Sequence, residues 1–134
     1  APERVVVDRE QGKDAVTHYR LISFAGREVG FVALRPETGR MHQLRAHLAH
    51  INCPILGDDK YGGMVSDGRL AAASEERLWL HALALHFRHP VSGKNMSIFA
   101  PIPHAMREHL TAWNMEVPTL TDTDKPVDPM DERA

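Results

Sequence analysis

The sequence predicts an α+β domain with a mixed, mostly antiparallel sheet and packed helices. The first observation is that apolar residues alternate with other residues in several short segments, as they do in β-strands. These segments are Ala15–Phe24, Val29–Arg35, Leu78–Phe87 and Met96–Ala100. The second observation is that apolar residues recur at helical spacing in residues 40–52 and 104–115. Short breaks between neighbouring strand segments favour hairpins, which are antiparallel.

Composition is that of an ordinary soluble domain. With 134 residues, 43% of them apolar and 25% charged, the chain is long enough to bury one core. No apolar run approaches the roughly 18 residues that a membrane helix needs, and no signal-peptide pattern is present. The single cysteine, Cys53, fits a reducing compartment, so we expect a cytoplasmic protein without a membrane partner. The missing initial Met suggests a processed or excised chain.

Charge divides the chain into two parts. Residues 115–134 contain six acids and two bases, three prolines and no aromatic residue, so we predict an acidic disordered tail. Residues 1–114 carry a net charge of +2 and contain all the predicted helices and strands. A mildly basic body of this kind can bind RNA through a local patch.

The first half of the chain predicts a hairpin followed by a helix. Val5-Val6-Val7 is a possible short strand, and residues 11–14 form a turn before the hairpin of residues 15–35. Pro36 ends the second strand because it lacks a backbone donor, and Thr38-Gly39 supplies a turn and a helix N-cap. In the helix, apolar side chains share one face that should pack on the core. They are Met41, Leu44, Leu48 and Ile51.

The second half predicts a loop, a hairpin and a closing helix. Residues 63–76 are polar and alanine-containing, which predicts a mobile surface loop with one helical turn. Both faces of Leu78–Phe87 are apolar, so this strand should be central and covered on both sides. Met96–Ala100 completes a hairpin with it. Met106, Leu110 and Trp113 recur at i, i+4 and i+7 and indicate an amphipathic final helix.

Charged residues of the predicted helix and the following loop are the first candidate site. Arg45 lies at the edge of the apolar face, where a guanidinium needs a carboxylate or phosphate partner, and Arg40 lies in the first helical turn, where a cation opposes the helix dipole. Both fit contact with a phosphate, or surface and intramolecular ion pairs. Asp58 and Asp59 could perform acid–base chemistry, but adjacent Asp residues beside Gly more often cap turns and pair with nearby bases.

Three blocks of sequence resemble one known family. The string TGRMHQLRAHLAH…PILGDDKYGG, followed by LHALALHFRHP and FAPIP, closely resembles the C-terminal half of the RluA-like pseudouridine synthases. The blocks occur in the family order and cover about Lys13 to Pro103. The resemblance implies the corresponding part of a pseudouridine synthase-like fold.

The resemblance also implies a reaction. Enzymes of this family convert uridine to pseudouridine in RNA without a metal or organic cofactor, using an aspartate nucleophile on a uridine flipped out of its helix. Arg45 matches the arginine that pairs with this aspartate, and Leu85 matches the apolar residue that packs against the target base. Arg40, His42 and Gln43 would contact the RNA backbone or order the start of the helix. The implied partner is ribosomal or transfer RNA.

The family pattern is incomplete in this chain. The Arg-Leu-Asp motif that carries the nucleophile does not occur, and neither does the block with the active-site tyrosine. We therefore expect the C-terminal part of a catalytic domain, with the N-terminal part of the same domain as its missing partner. The isolated chain should be inactive, and its exposed sheet edges should promote pairing with a second copy or with another chain.

Two other classes of function compete with catalysis. His42, His47, His50 and Cys53 lie within twelve residues, but they lack an established zinc-ligand spacing, so we expect no metal. A non-catalytic RNA-binding or scaffold module with the same fold is the stronger alternative. It would be favoured if the native polypeptide had only the mass of this chain, 15.0 kDa.

Overall fold

The computed structural model describes residues 3–7 and 14–115, which form two sheets and three helices. In chain order the elements are β1 (Glu3–Val7), β2 (Ala15–Ala25), β3 (Val29–Pro36), α1 (Gln43–His50), α2 (Leu70–Glu76), β4 (Ala84–Arg88), β5 (Asn95–Phe99) and α3 (His104–Ala112). One sheet has the order β1-β2-β3 and the other is the β4-β5 hairpin. The α+β class is confirmed, although the strands form two sheets and every described pairing is antiparallel.

The predicted first hairpin is confirmed. β2 and β3 pair from Thr17–Pro36 to Ala25–Val29, with a bulge between Leu21 and Ser23. The turn contains Gly26 at φ 57°, a left-handed conformation that glycine adopts without a Cβ clash. The short strand predicted at Val5–Val7 is also present and lies beside β2. Residues 11–13 of the turn predicted before this hairpin lie outside the described residues.

The helix after the hairpin is shorter than predicted. It begins at Gln43 rather than Arg40 and ends at His50, and its N-cap residue is His42, which provides no side-chain cap. Thr38 is therefore not the N-cap, because its hydroxyl binds the β2 backbone and Gln43 instead. Met41 precedes the helix and is 87% exposed, so its assignment to the core face was wrong.

The main core lies between the end of the first hairpin, α2 and α3. The predicted surface loop of residues 63–76 instead contains α2, whose Leu70 and Ala73 are buried in this core. Alanine favours helix and its small side chain allows close packing, and these properties outweigh the polar composition of the segment. The closing helix is confirmed, with Leu110 and Trp113 buried and Met106 packed against them.

The second hairpin differs most from its prediction. Within the described residues its first strand begins at Ala84 rather than Leu78, and it pairs only with β5. Trp79 and Leu83, which precede β4, pack against the core, whereas Leu85 is 60% exposed. A central strand covered on both sides was therefore the wrong prediction for this chain. The predicted acidic tail, apart from Met115, lies outside the described residues.

Candidate active site

An open pocket brings together most of the residues that the sequence singled out. Arg40, His42, Gln43 and Arg45 all line it, beside the β3–α1 turn. The remaining lining residues are Pro36, Thr38, Gly39, Leu44 and Leu80. Leu85 is not among them; it lies on β4 and is exposed. The structure thus places four of the five predicted site residues around one opening.

Gln43 orders the start of α1 through a complete set of hydrogen bonds. Its amide Nε2 donates to the carbonyl of Val16 and to Thr17 Oγ1, both at 2.9 Å. Its Oε1 accepts from Thr38 Oγ1 at 2.6 Å and from the backbone N–H of Arg40 at 3.1 Å. Because the amide is buried and its donors and acceptor are engaged, these contacts correspond to the helix-ordering role rather than to RNA contact.

Arg45 forms a two-point ion pair with Asp58. Its Nε donates to Asp58 Oδ2 at 2.9 Å and its Nη2 donates to Oδ1 at 2.8 Å. The Asp58 side chain is 0% exposed and that of Arg45 is 19% exposed. Hydrogen bonding from Arg45 lowers the pKa of Asp58, and hydrogen bonding to Asp58 raises the pKa of Arg45. Both groups are therefore charged at neutral pH.

The loop that contains Asp58 is held closed by its own backbone. Asp58 Oδ1 also accepts the backbone N–H groups of Lys60 and Tyr61, each at 3.2 Å, so the carboxylate caps its turn as the sequence predicted. Two glycines permit this closure: the N–H of Gly57 donates to the carbonyl of Gly63 at 2.8 Å. A Cβ on Gly57 would lie 1.8 Å from the Arg77 carbonyl, so only glycine fits there.

Tyr61 and His42 complete the surroundings of the arginine. The Arg45 guanidinium carbon lies 5.3 Å from the centre of the Tyr61 ring, within range of a cation–π interaction. The Tyr61 hydroxyl is 3.4 Å from His42 Nδ1, and the two rings meet edge to face. His42 adopts φ 51°, a strained left-handed conformation for a residue with a side chain. Sequence reasoning did not select Tyr61, because nothing in its spacing revealed the contact with Arg45.

His47 lies behind the pocket in a buried polar cluster. Its Nδ1 is 2.7 Å from Thr17 Oγ1, which also accepts the N–H of Gln43. The single hydroxyl hydrogen of Thr17 can then donate to Nδ1, which leaves His47 neutral. Burial lowers the pKa of His47 and favours the same state. The contact between His47 and Thr17 therefore joins α1 to β2 and is structural.

Arg40 is the most accessible cation of the pocket. It precedes α1, so the prediction that placed it in the first helical turn was wrong. Its Nε donates to the carbonyl of Asp14 at 3.3 Å. A guanidinium held in this way at an exposed turn can reach a phosphate with its remaining N–H groups.

Neither a metal-ligand cluster nor a membrane helix is found in the part of the chain that the structure describes. No three His, Cys, Asp or Glu side chains among residues 3–7 and 14–115 are grouped so that they could hold a metal ion. Within the same residues, no helix has the length and apolar character that crossing a membrane requires.

Comparisons with known proteins agree on one family. The family model described as RNA pseudouridylate synthase matches residues 2–50. The chain is 43% identical over 104 residues to the ribosomal large subunit pseudouridine synthase D of Vibrio cholerae, with 72% of this chain and 32% of that protein covered. It is 40% identical over 110 residues to the pseudouridine synthase C of Yersinia pestis, with 82% and 34% covered.

A solved structure shows the same fold. Human RNA Pseudouridylate Synthase Domain Containing 1 aligns with a TM-score of 0.53 and 25% identity, over 78% of this chain and 48% of that one. The fold and the matched sequence thus define a pseudouridine synthase-type protein. Within that class the chain belongs to the RluA-like family of RNA pseudouridine synthases, as the sequence resemblance implied. It spans about a third of the length of the curated relatives that it matches.

Proposed function

We propose that this chain supplies the arginine-bearing part of the active site of an RNA pseudouridine synthase. The observation that carries the proposal is the position of Arg45, a fixed guanidinium at an open pocket also lined by Arg40 and His42. Relatives at 40–44% identity are named ribosomal large subunit pseudouridine synthases, which supports the same activity here. The proposed substrate is a uridine in ribosomal or transfer RNA, and the proposed location is the cytoplasm.

The proposed reaction is an isomerisation that needs no cofactor. The bond from the ribose C1′ to N1 of uracil breaks, the base rotates, and C1′ joins C5, which loses its hydrogen while N1 gains one. An aspartate acts as nucleophile, and the Arg45 guanidinium holds this carboxylate ionised and fixes its direction. Leu85 would pack against the flipped base, and Arg40 and His42 would contact the phosphate backbone.

We further propose that the nucleophile lies outside these 134 residues. No Arg-Leu-Asp motif occurs in the chain, and the carboxylate that meets Arg45 in the structure, Asp58, is fully buried and already makes four hydrogen bonds. Asp58 therefore lacks the exposure that attack on a ribose requires. In the relatives, the sequence outside the matched region is about twice as long as the matched region itself. An aspartate of that kind can lie there.

The test compares the isolated chain with the polypeptide that the native host makes. The intact mass of the native polypeptide is measured first, and both proteins are then assayed for release of tritium from RNA labelled at C5 of uridine. We expect a native mass well above 15.0 kDa, activity in the native protein and none in the isolated chain. Pseudouridine formation by the isolated chain would refute the external nucleophile.

A matched pair of variants in the native protein tests Arg45 itself. Arg45→Lys keeps the positive charge but cannot form the same two-point contact, so activity should fall about 100-fold. Arg107→Lys, on the exposed face of α3, makes the same substitution away from the pocket and should leave activity unchanged. A native protein of 15.0 kDa without activity would instead support the non-catalytic RNA-binding or scaffold module.

A further inference from the structure

The Asp58 carboxylate is bound on two sides, which gives it a fixed direction. On one side Arg45 contacts both of its oxygens, and on the other the backbone N–H groups of Lys60 and Tyr61 bind Oδ1. The loop that carries it is closed by two backbone hydrogen bonds, from the N–H of Gly57 to the carbonyl of Gly63 and from the N–H of Gly63 to the carbonyl of Asp58. A rigid, buried carboxylate of this kind can impose its own orientation on a flexible arginine side chain.

Asp58 occupies only one edge of the Arg45 guanidinium. A guanidinium has five N–H groups, and Asp58 takes those of Nε and one of Nη2. Among the described residues, no hydrogen bond from Nη1 is found. The edge formed by Nη1 and Nη2 therefore has two N–H groups that can bind a second carboxylate, also at two points. Tyr61, with its ring 5.3 Å from the guanidinium carbon, restrains the group from a third direction.

We propose that Asp58 and Tyr61 are positioning residues that direct the Nη1–Nη2 edge of Arg45 towards the nucleophile. Arg45 then bridges two carboxylates, Asp58 on its side edge and the nucleophile on its end edge. The catalytic consequence rests on the proposed function, whereas the orientation of Arg45 by Asp58 is a property of this chain alone. The two parts can therefore be tested separately.

The orientation is tested by NMR on the 134-residue chain. The Nε–H proton of Arg45 should exchange slowly with water, because it is bound to a buried carboxylate. In Asp58→Asn one charged contact is lost, and exchange should become at least tenfold faster. Asp59→Asn removes the same charge from the exposed neighbouring residue and should leave the exchange rate unchanged. Fast exchange in the unaltered chain would overturn the proposal, even if the Asp58 variant failed to fold.

The catalytic consequence is tested in the native protein by kinetics per folded molecule. Asp58→Asn should lower kcat about 30-fold and leave KM within about threefold, because positioning acts on the chemical step. Tyr61→Leu should lower kcat by a smaller factor, and Asp59→Asn should change neither constant. Asp58→Asn should add little to the loss already caused by Arg45→Lys, because both changes disrupt the same contact.

The possible outcomes separate the two proposals. If Arg45→Lys lowers activity but Asp58→Asn does not, the positioning role is wrong and the proposed function stands. If Arg45→Lys has no effect on activity while the NMR result holds, the proposed function is wrong and only the orientation of Arg45 is established. An equal fall in kcat for folded Asp58→Asn and folded Asp59→Asn would also overturn the positioning role. The loss would then come from the removed negative charge and not from the orientation of Arg45.

Discussion

Buried polar side chains, rather than apolar ones, join α1 to the first sheet. Thr17 is fully buried and its hydroxyl lies within hydrogen-bond distance of both Gln43 and His47. Thr17 binds both of the other side chains, so loss of any one of the three removes a hydrogen bond from a buried partner. An unsatisfied buried group costs about 1–3 kcal/mol, more than the hydrogen bond itself contributes.

Gln43→Ala should therefore destabilise the chain by about 2–3 kcal/mol, at the upper end of that range. The change removes one hydrogen bond each from the Val16 carbonyl, Thr17 and Thr38 at once. Urea denaturation of the 134-residue chain measures the free energy of unfolding. Met41→Ala, at an exposed position two residues earlier, should stay within about 0.5 kcal/mol of the original chain. A loss below 0.5 kcal/mol for Gln43→Ala would show that the network is not needed.

His47 should make stability fall in mild acid. Burial lowers the pKa of His47 below its usual 6.5, so the unfolded chain binds the proton more readily than the folded chain does. The contribution of neutral His47 to the free energy of unfolding is therefore fully present above about pH 6.5, and it is lost as the pH falls towards the lowered pKa. Urea midpoints at pH 7.5 and 5.5 should differ less in His47→Gln than in the original chain. His86→Gln, at an exposed position on β4, should keep the original difference.

At the scale of elements, the loop of residues 57–63 depends on two backbone positions that exclude a side chain. Gly57 has φ 81° and faces the Arg77 carbonyl, and a Cβ on Gly63 would lie 1.8 Å from the Ile55 carbonyl. The loop in turn holds Asp58 against α1. Close backbone packing at these two glycines therefore helps to fix the carboxylate that holds Arg45 in the pocket.

Gly57→Ala should open this loop and destabilise the chain. Gly62→Ala is the control, because it introduces backbone strain without a steric clash. Gly62 has φ 91° but nothing within 4 Å of an added Cβ, so its substitution should cost only about 1–2 kcal/mol of backbone strain. Gly57→Ala adds a clash with backbone and should cost at least about 2 kcal/mol more. The two unfolding free energies are compared by urea denaturation. Equal losses would mean that the Arg77 contact does not constrain the loop.

Elements with a strong local pattern could be predicted, whereas those determined by distant contacts could not. The β2–β3 hairpin and α3 were read correctly because alternation and helical spacing are local properties. The start of α1 was placed too early, because the sequence does not show that Thr38 binds Gln43 rather than capping the helix. Asp58 was expected to cap a turn and meet a base, but its partnership with Arg45, thirteen residues away, required the structure.

At the scale of the whole molecule, the β4–β5 hairpin has an apolar face that the described residues leave uncovered. Leu85 and Ile98 are opposite each other on β4 and β5, and they are 60% and 52% exposed. Side chains paired across two strands form a continuous apolar surface rather than isolated contacts. The sequence predicted a covered strand here because both faces of the segment are apolar. An apolar pattern shows that a strand can be buried, but it does not show whether the same chain contains the element that covers it.

This surface should make the isolated chain self-associate. An exposed apolar sheet face and unpaired strand edges favour contact with a second copy, because burial removes apolar area from water. Sedimentation velocity should show a weight-average mass that rises with concentration above 15.0 kDa. Ile98→Thr should reduce this rise, because a hydroxyl replaces the ethyl group on Cβ. Threonine is also β-branched, so the preference for a β-strand is kept. Val91→Thr makes a comparable change at a 90% exposed turn position and should leave the rise unchanged.

A mass that stays at 15.0 kDa at all concentrations would show that the uncovered face is stable in water. A rise that both variants reduce equally would place the contact outside the β4–β5 face.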